Sequence, residues 1–99
     1  MKISWSPLSI DRVTEIAKYS AMDNHTAAND WVETLFGSVE QLKSFPRSGR
    51  IVPELNEDTI RELLLGNYRI VYRIEIKQIS ILTVRNIRQI LPESGIESK

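Results

Sequence analysis

The chain reads as a single α+β domain: a short N-terminal strand, then an α-helical hairpin packed on a three- to four-stranded antiparallel sheet. Three observations predict this. Over the first half, apolar residues recur at three- and four-residue steps, with one break at "MDNH" (22–25). Over the second half they alternate at two-residue steps, in "TIRELLL" (59–65), "YRIVYRIE" (68–75) and "ISILTVRN" (79–86). The length, 99 residues with 41 % hydrophobic, suits one core and not two. The domain is taken as 1–92, followed by a polar tail at 93–99.

Each element has a local reason. "KISWS" (2–6) alternates Ile3 and Trp5 with polar neighbours and reads as a short strand, placed at a sheet edge or beside the last-formed strands. In "SPLS", Ser6 is a helix cap, and Pro7 suits the first helical position because its missing N–H would be unpaired there anyway. Leu8 or Ile10, Val13, Ile16 or Ala17, and Ser20 make the apolar stripe of that helix. Asp23 or Asn24 can cap a second helix, whose stripe is Ala28, Trp31, Val32, Leu35, Val39 and Leu42 and which Pro46 closes. Two amphipathic helices with so short a break form an αα-hairpin. "FPRSGRIVPELNED" (45–58) reads as an ordered loop anchored by Ile51, Val52 and Leu55. "GN" (66–67) joins the next two strands in a tight hairpin.

Composition excludes several function classes. No run of 18 apolar residues exists, so no membrane span is expected, and "MKISWSPLS" lacks the apolar stretch of a secretory signal. Cysteine is absent, which removes disulfides and thiolate metal sites and fits a cytoplasmic protein. One histidine, His25, is too few for a His-based metal site or a Ser–His triad, so neither metal nor cofactor is expected. The net charge is zero, so the whole-molecule charge gives no argument for nucleic-acid binding. The arginines are nevertheless concentrated: seven of the eight lie in 47–92.

Period-two geometry sorts them by face. Tyr68, Ile70, Tyr72 and Ile74 should meet the helices, with Arg69, Val71 and Arg73 opposite. Ile60, Glu62 and Leu64 oppose Arg61, Leu63 and Leu65; Leu82 and Val84 oppose Ile81, Thr83 and Arg85. The second face of the sheet is therefore apolar with guanidinium groups among it. One reading is a solvent-exposed face with ion pairs, for instance of Arg69 or Arg73 with Glu62 or Glu75, and of Arg50 with Glu54 in the loop; exposed pairs are each worth roughly 0–1 kcal/mol. The other is a recognition surface made of Arg61, Arg69, Arg73, Arg85 and Arg88, with Arg47 and Arg50 beside it in the loop, since arginine forks grip carboxylate or phosphate.

The ordered set "FPRSGRIVPEL", "IRELLLGNYRIVYRI" and "ISILTVRNIRQILP", with "AANDW" upstream, resembles the RelE/ParE superfamily of bacterial toxins from type II toxin–antitoxin pairs. The resemblance implies the same fold, a helical hairpin against an antiparallel sheet. It also implies one of two targets. RelE-like toxins cleave mRNA in the ribosomal A site without a metal; ParE-like toxins poison DNA gyrase and have no hydrolytic chemistry. Both are held by an antitoxin.

Carried over residue by residue, the RelE-like equipment is partial. Arg69 and Arg88 correspond to its catalytic arginines. Its strand lysines fall near Ile60 and Glu62, neither of them basic, and its histidine–glycine pair reads Asn86–Ile87. Its late tyrosine has no counterpart after Arg88, although Lys77 or Arg61 could stand in for lost lysines. These departures, with the neutral charge, favour the ParE-like branch. The expectation is a gyrase inhibitor neutralised by a cognate antitoxin in a heteromeric complex, with no membrane partner. The alternatives are a ribosome-dependent mRNA endonuclease and a decayed toxin that only binds its antitoxin.

Overall fold

Ser6 opens the first helix, its hydroxyl accepting the N–H of Ser9 at 3.0 Å. Helix α1 runs Pro7–Asp23 with the proline in its first turn. Asn24 then serves two helices at once. Its N–H donates to the carbonyl of Ser20, ending α1, and its side-chain oxygen accepts the N–H of Ala27 at 3.0 Å, starting α2 (His25–Glu40). A single 3-10 turn, Gln41–Lys43, finishes α2 before Pro46. The computed structural model describes residues 1–88; the expected domain boundary at 92 and the tail 93–99 lie outside them.

The strands are β1 (Lys2–Trp5), β2 (Arg50–Ile51), β3 (Ile60–Leu65), β4 (Tyr68–Ile74) and β5 (Gln78–Asn86). They form one five-stranded sheet in the order β1-β5-β4-β3-β2. The α+β class and the helical hairpin are as expected; the strand count and the purely antiparallel pairing are not. The extra strand, β2, is two residues of the 45–58 loop, pairing Arg50 with Glu62 and Ile51 with Arg61. Strand β1 sits at the edge beside β5 and runs parallel to it, since no hairpin turn ties the two and fixes an antiparallel direction. Between β3 and β4 the turn is two residues, and only Gly66 has a positive φ, 58°, the pattern with glycine at the first central position.

The helices lie on one face of the sheet. Val13, Leu35, Val39 and Leu42 meet Ile70, Tyr72, Ile79, Ile81 and Val84, with Trp5, Trp31, Tyr68 and Ile74 partly buried around them. Burying one such side chain fully stabilises the fold by about 1.5–3 kcal/mol. Trp5 tilts on Phe36 and Trp31 on Tyr68, with ring centroids 5.0 and 5.4 Å apart. His25 is exposed at the start of α2.

A second, smaller core occupies the opposite face: Val52, Ile60, Val71 and Leu82, with Leu55 against them. Val52 and Leu55 come from the loop, so the chain folds part of itself over its own second sheet face. One expected face assignment is corrected here. Strict alternation put Leu82 with Val84, and Ile81 with Thr83. The register instead jumps from Val71↔Thr83 to Tyr72↔Ile81, leaving Leu82 as an extra residue in β5. This bulge turns Ile81 and Val84 to the helices, and Leu82 to the second core. Among the described residues, no helix is long and apolar enough to cross a membrane.

Candidate functional site

Cross-strand neighbours share a face. The register places Glu62 opposite both Arg50 and Val71, and Arg69 opposite Arg85. Arg50, Glu62, Arg69, Arg73 and Arg85 therefore belong to the face away from the helices. Arg61 does not. It lies opposite Tyr72, on the helix side.

Arg69 is the centre of this face, and it is internal. Its side chain is 4 % exposed. Its Nε donates to Glu62 Oε1 at 2.6 Å, and its two terminal nitrogens donate to the two oxygens of Glu54, each at 2.6 Å. Glu62, wholly buried, accepts Arg50 Nε on its other oxygen at 2.6 Å. Two guanidiniums and two carboxylates thus neutralise one another under the loop. The Glu54 bonds raise the Arg69 guanidinium well above its ordinary value and those of Glu62 add to this, while burial works the other way. Burial of an ion is costly unless pairing and hydrogen bonding are nearly complete, and here both are. The expected pairing of Arg50 with Glu54 is corrected: the β2–β3 register sets Arg50 across from Glu62, leaving Glu54 to Arg69.

Arg61 and Arg47 converge elsewhere, on Asp58. Arg61 donates to Asp58 Oδ1 at 2.9 Å and to the Gly49 carbonyl at 2.9 Å, and Arg47 pairs with the other Asp58 oxygen. Hydrogen bonds from Arg47, then Arg61, hold the Asp58 carboxyl below the usual aspartate range. Tyr72 locks the same loop from beneath: its hydroxyl donates to the Pro46 carbonyl at 2.8 Å and accepts the Gly49 N–H at 3.0 Å. Only glycine fits at 49, where an added Cβ would stand 2.6 Å from both the Glu62 carbonyl oxygen and the Tyr72 hydroxyl. Burial pushes the Tyr72 hydroxyl up, against smaller lowering effects of the Gly49 bond and nearby arginines.

Three candidate arginines remain without a side-chain partner among the described residues: Arg73 and Arg85, both half-buried, and Arg88, exposed just past β5. The Nε of Arg85 is cut off from solvent with no hydrogen bond. The anionic half of the face was visible in part: alternation puts Glu62 beside Arg69, but nothing local links Glu54 to a residue fifteen positions on. Among the described residues, no group of three His, Asp or Glu stands close enough to hold a metal.

Comparison with known proteins agrees with this architecture. Residues 3–91 match the family model described as the ParE toxin of the type II toxin-antitoxin system parDE. A Sinorhizobium fredii protein, Y4kP, named as a candidate toxin, is 35 % identical over 94 residues, covering 93 % of this chain and 94 % of its own. Among solved structures, a chain of the chromosomal ParDE system from P. aeruginosa has the same fold, with a TM-score of 0.71 at 20 % identity over 87 % of this chain and 95 % of that one. With the family model matched over nearly its whole length and a relative 35 % identical, the chain belongs to the ParE toxin family of type II toxin–antitoxin systems.

Proposed function

We propose that this toxin acts by binding, not by cutting: it inhibits DNA gyrase in the cytoplasm, and a cognate antitoxin silences it in a heteromeric complex. The observation that carries the reading is the state of Arg69. A metal-free ribonuclease needs cationic donors free to meet the charge that develops on a phosphate. Arg69, one of two arginines on which a nuclease reading depends, is 4 % exposed and committed to two carboxylates. Neither Ile60 nor Glu62 supplies the missing strand lysine. Family membership supports the gyrase target, and the fold shared with a ParDE chain supports the antitoxin.

A supercoiling assay with folded, antitoxin-free toxin tests this. Gyrase should lose activity as toxin reaches molar excess; undisturbed gyrase overturns the reading. Codon-phased cuts in translated mRNA, seen by primer extension, would move the chain to the endonuclease class. A harmless product on expression alone would leave it only an antitoxin-binding role. Co-expression with the adjacent short reading frame should yield a stable complex.

A further inference from the structure

Glu62 holds two guanidiniums, and it holds each by its Nε. Arg69 Nε meets one carboxylate oxygen and Arg50 Nε the other, both at 2.6 Å. The two arginines differ at their far ends. The terminal nitrogens of Arg69 close on Glu54 and are shut in. Those of Arg50 bond nothing among the described residues, and its side chain is 54 % exposed. Arg50 is therefore fixed at its base and open at its tip. The base is firm, because Glu62 is wholly buried in β3 and gripped from its other side by Arg69. Leu64 is two positions along β3 from Glu62, on the same face and diagonal to Arg50. It stays 47 % exposed, whereas Ile60, two positions the other way, is covered by Val52 and Leu55 of the loop.

We propose that the open end of Arg50, with Leu64 on the same face, is where this toxin contacts the protein it inhibits, and that the partner presents a carboxylate next to an apolar side chain. An arginine whose side chain is already fixed loses little freedom when its terminal nitrogens are bonded. Those nitrogens form a planar fork that the two oxygens of a carboxylate match. An arginine on a firm base, with apolar surface near it, has the make-up of a binding hot spot. The charge count selects a protein over a nucleic acid. Arg50 and Arg69 are balanced by Glu54 and Glu62, so the cluster has no excess charge. A phosphate backbone needs several uncompensated cations in a row. A single carboxylate needs only the two directed bonds of the fork, made at contact.

The inference rests on the reading that the toxin works by binding a protein, but its test reads growth and so holds whichever protein that is. The full chain is induced in cells that lack the antitoxin, beside Arg50→Lys, which keeps the charge and loses the fork, and Leu64→Ser. The inducer concentration for half-maximal growth arrest should rise about tenfold for each variant, the loss of one hot-spot contact. Lys18→Gln, at an exposed cation on α1, should arrest growth as the wild type does. Urea melts should show both variants folded, and co-expression with the adjacent reading frame should still give the complex. If Arg50→Lys does not fold, Leu64→Ser decides. Variants as toxic as the wild type overturn the proposal. So does loss of the antitoxin complex with toxicity intact, which would give this surface to the antitoxin. A DNA duplex that alone shifts the Arg50 Nε–H resonance at micromolar concentration overturns it too, by giving the fork to phosphate. A wild-type chain that arrests nothing is a different result: it overturns the functional reading, and this surface falls with it.

Discussion

Arg69 grips Glu54 with two bonds of 2.6 Å across fifteen residues of chain, and through them the 52–58 loop is strapped to the sheet. The strap and the small apolar cluster beneath it act together: Glu54 is tied by charge, and Val52 and Leu55 by burial.

Arg69→Ala should therefore act first on stability. Removing one partner from a buried ion cluster costs about 3–5 kcal/mol, because the remaining charge stays desolvated. Glu54→Gln, at a partly exposed carboxylate, should cost less, about 1.5–3 kcal/mol. Urea melts measure both, and limited proteolysis should find new cleavage within 52–58. A stability change under about 0.5 kcal/mol for Arg69→Ala, the range of surface substitutions, would contradict the internal role.

Gly49→Ala should destabilise by overpacking, by about 1–3 kcal/mol. The obstacle is fixed backbone, the Glu62 carbonyl oxygen at 2.6 Å, as well as the Tyr72 hydroxyl. Pairing Gly49→Ala with Tyr72→Phe removes only the second obstacle, so the double variant should remain less stable than Tyr72→Phe alone. Thermal or urea melts of the three variants read this directly.

Tyr72→Phe should itself cost about 1–3 kcal/mol, since it leaves the Gly49 N–H and the Pro46 carbonyl without their partner. It should also change the alkaline limb of the stability curve. The hydroxyl's folded value is raised above its ordinary 10.0 by burial. Its contribution is therefore intact below pH 10 and is lost as pH climbs through the folded value, because the unfolded chain releases that proton first. The wild-type urea midpoint should fall more steeply than that of Tyr72→Phe above pH 10.

Asp58 gives the opposite sign. Its carboxyl is held low by Arg47 and Arg61, so its contribution is present above the ordinary aspartate value and fades as pH falls through the folded one. Carbon-13 titration should place it below the ordinary aspartate value. Arg47→Ala should move it back toward the ordinary value by more than Arg61→Ala does.

Local chemistry made most of the fold legible. Ser6, Pro7 and Asn24 announce both helix starts, and two-residue alternation announces β3 and β4. What stayed hidden depends on distance or on a single slipped residue. β2 is two residues inside a loop-like composition and exists only because β3 lies beside it. The bulge at Leu82 leaves no mark in a run of apolar residues, yet it reverses the faces of its neighbours. The candidate site was harder. Seven arginines crowd the second half of the chain, but their number could not tell those bound internally from those left open. That sorting is done by Glu54, Asp58 and Glu62, which reach their partners through the tertiary fold.

Among the described residues, five of the eight arginines stand within ion-pair distance of a carboxylate: Arg12, Arg47, Arg50, Arg61 and Arg69. Long-range steering draws on uncompensated charge, and a molecule of zero net charge that pairs most of its arginines internally has little to project. Its encounters with other macromolecules should then proceed at rates that added salt scarcely slows.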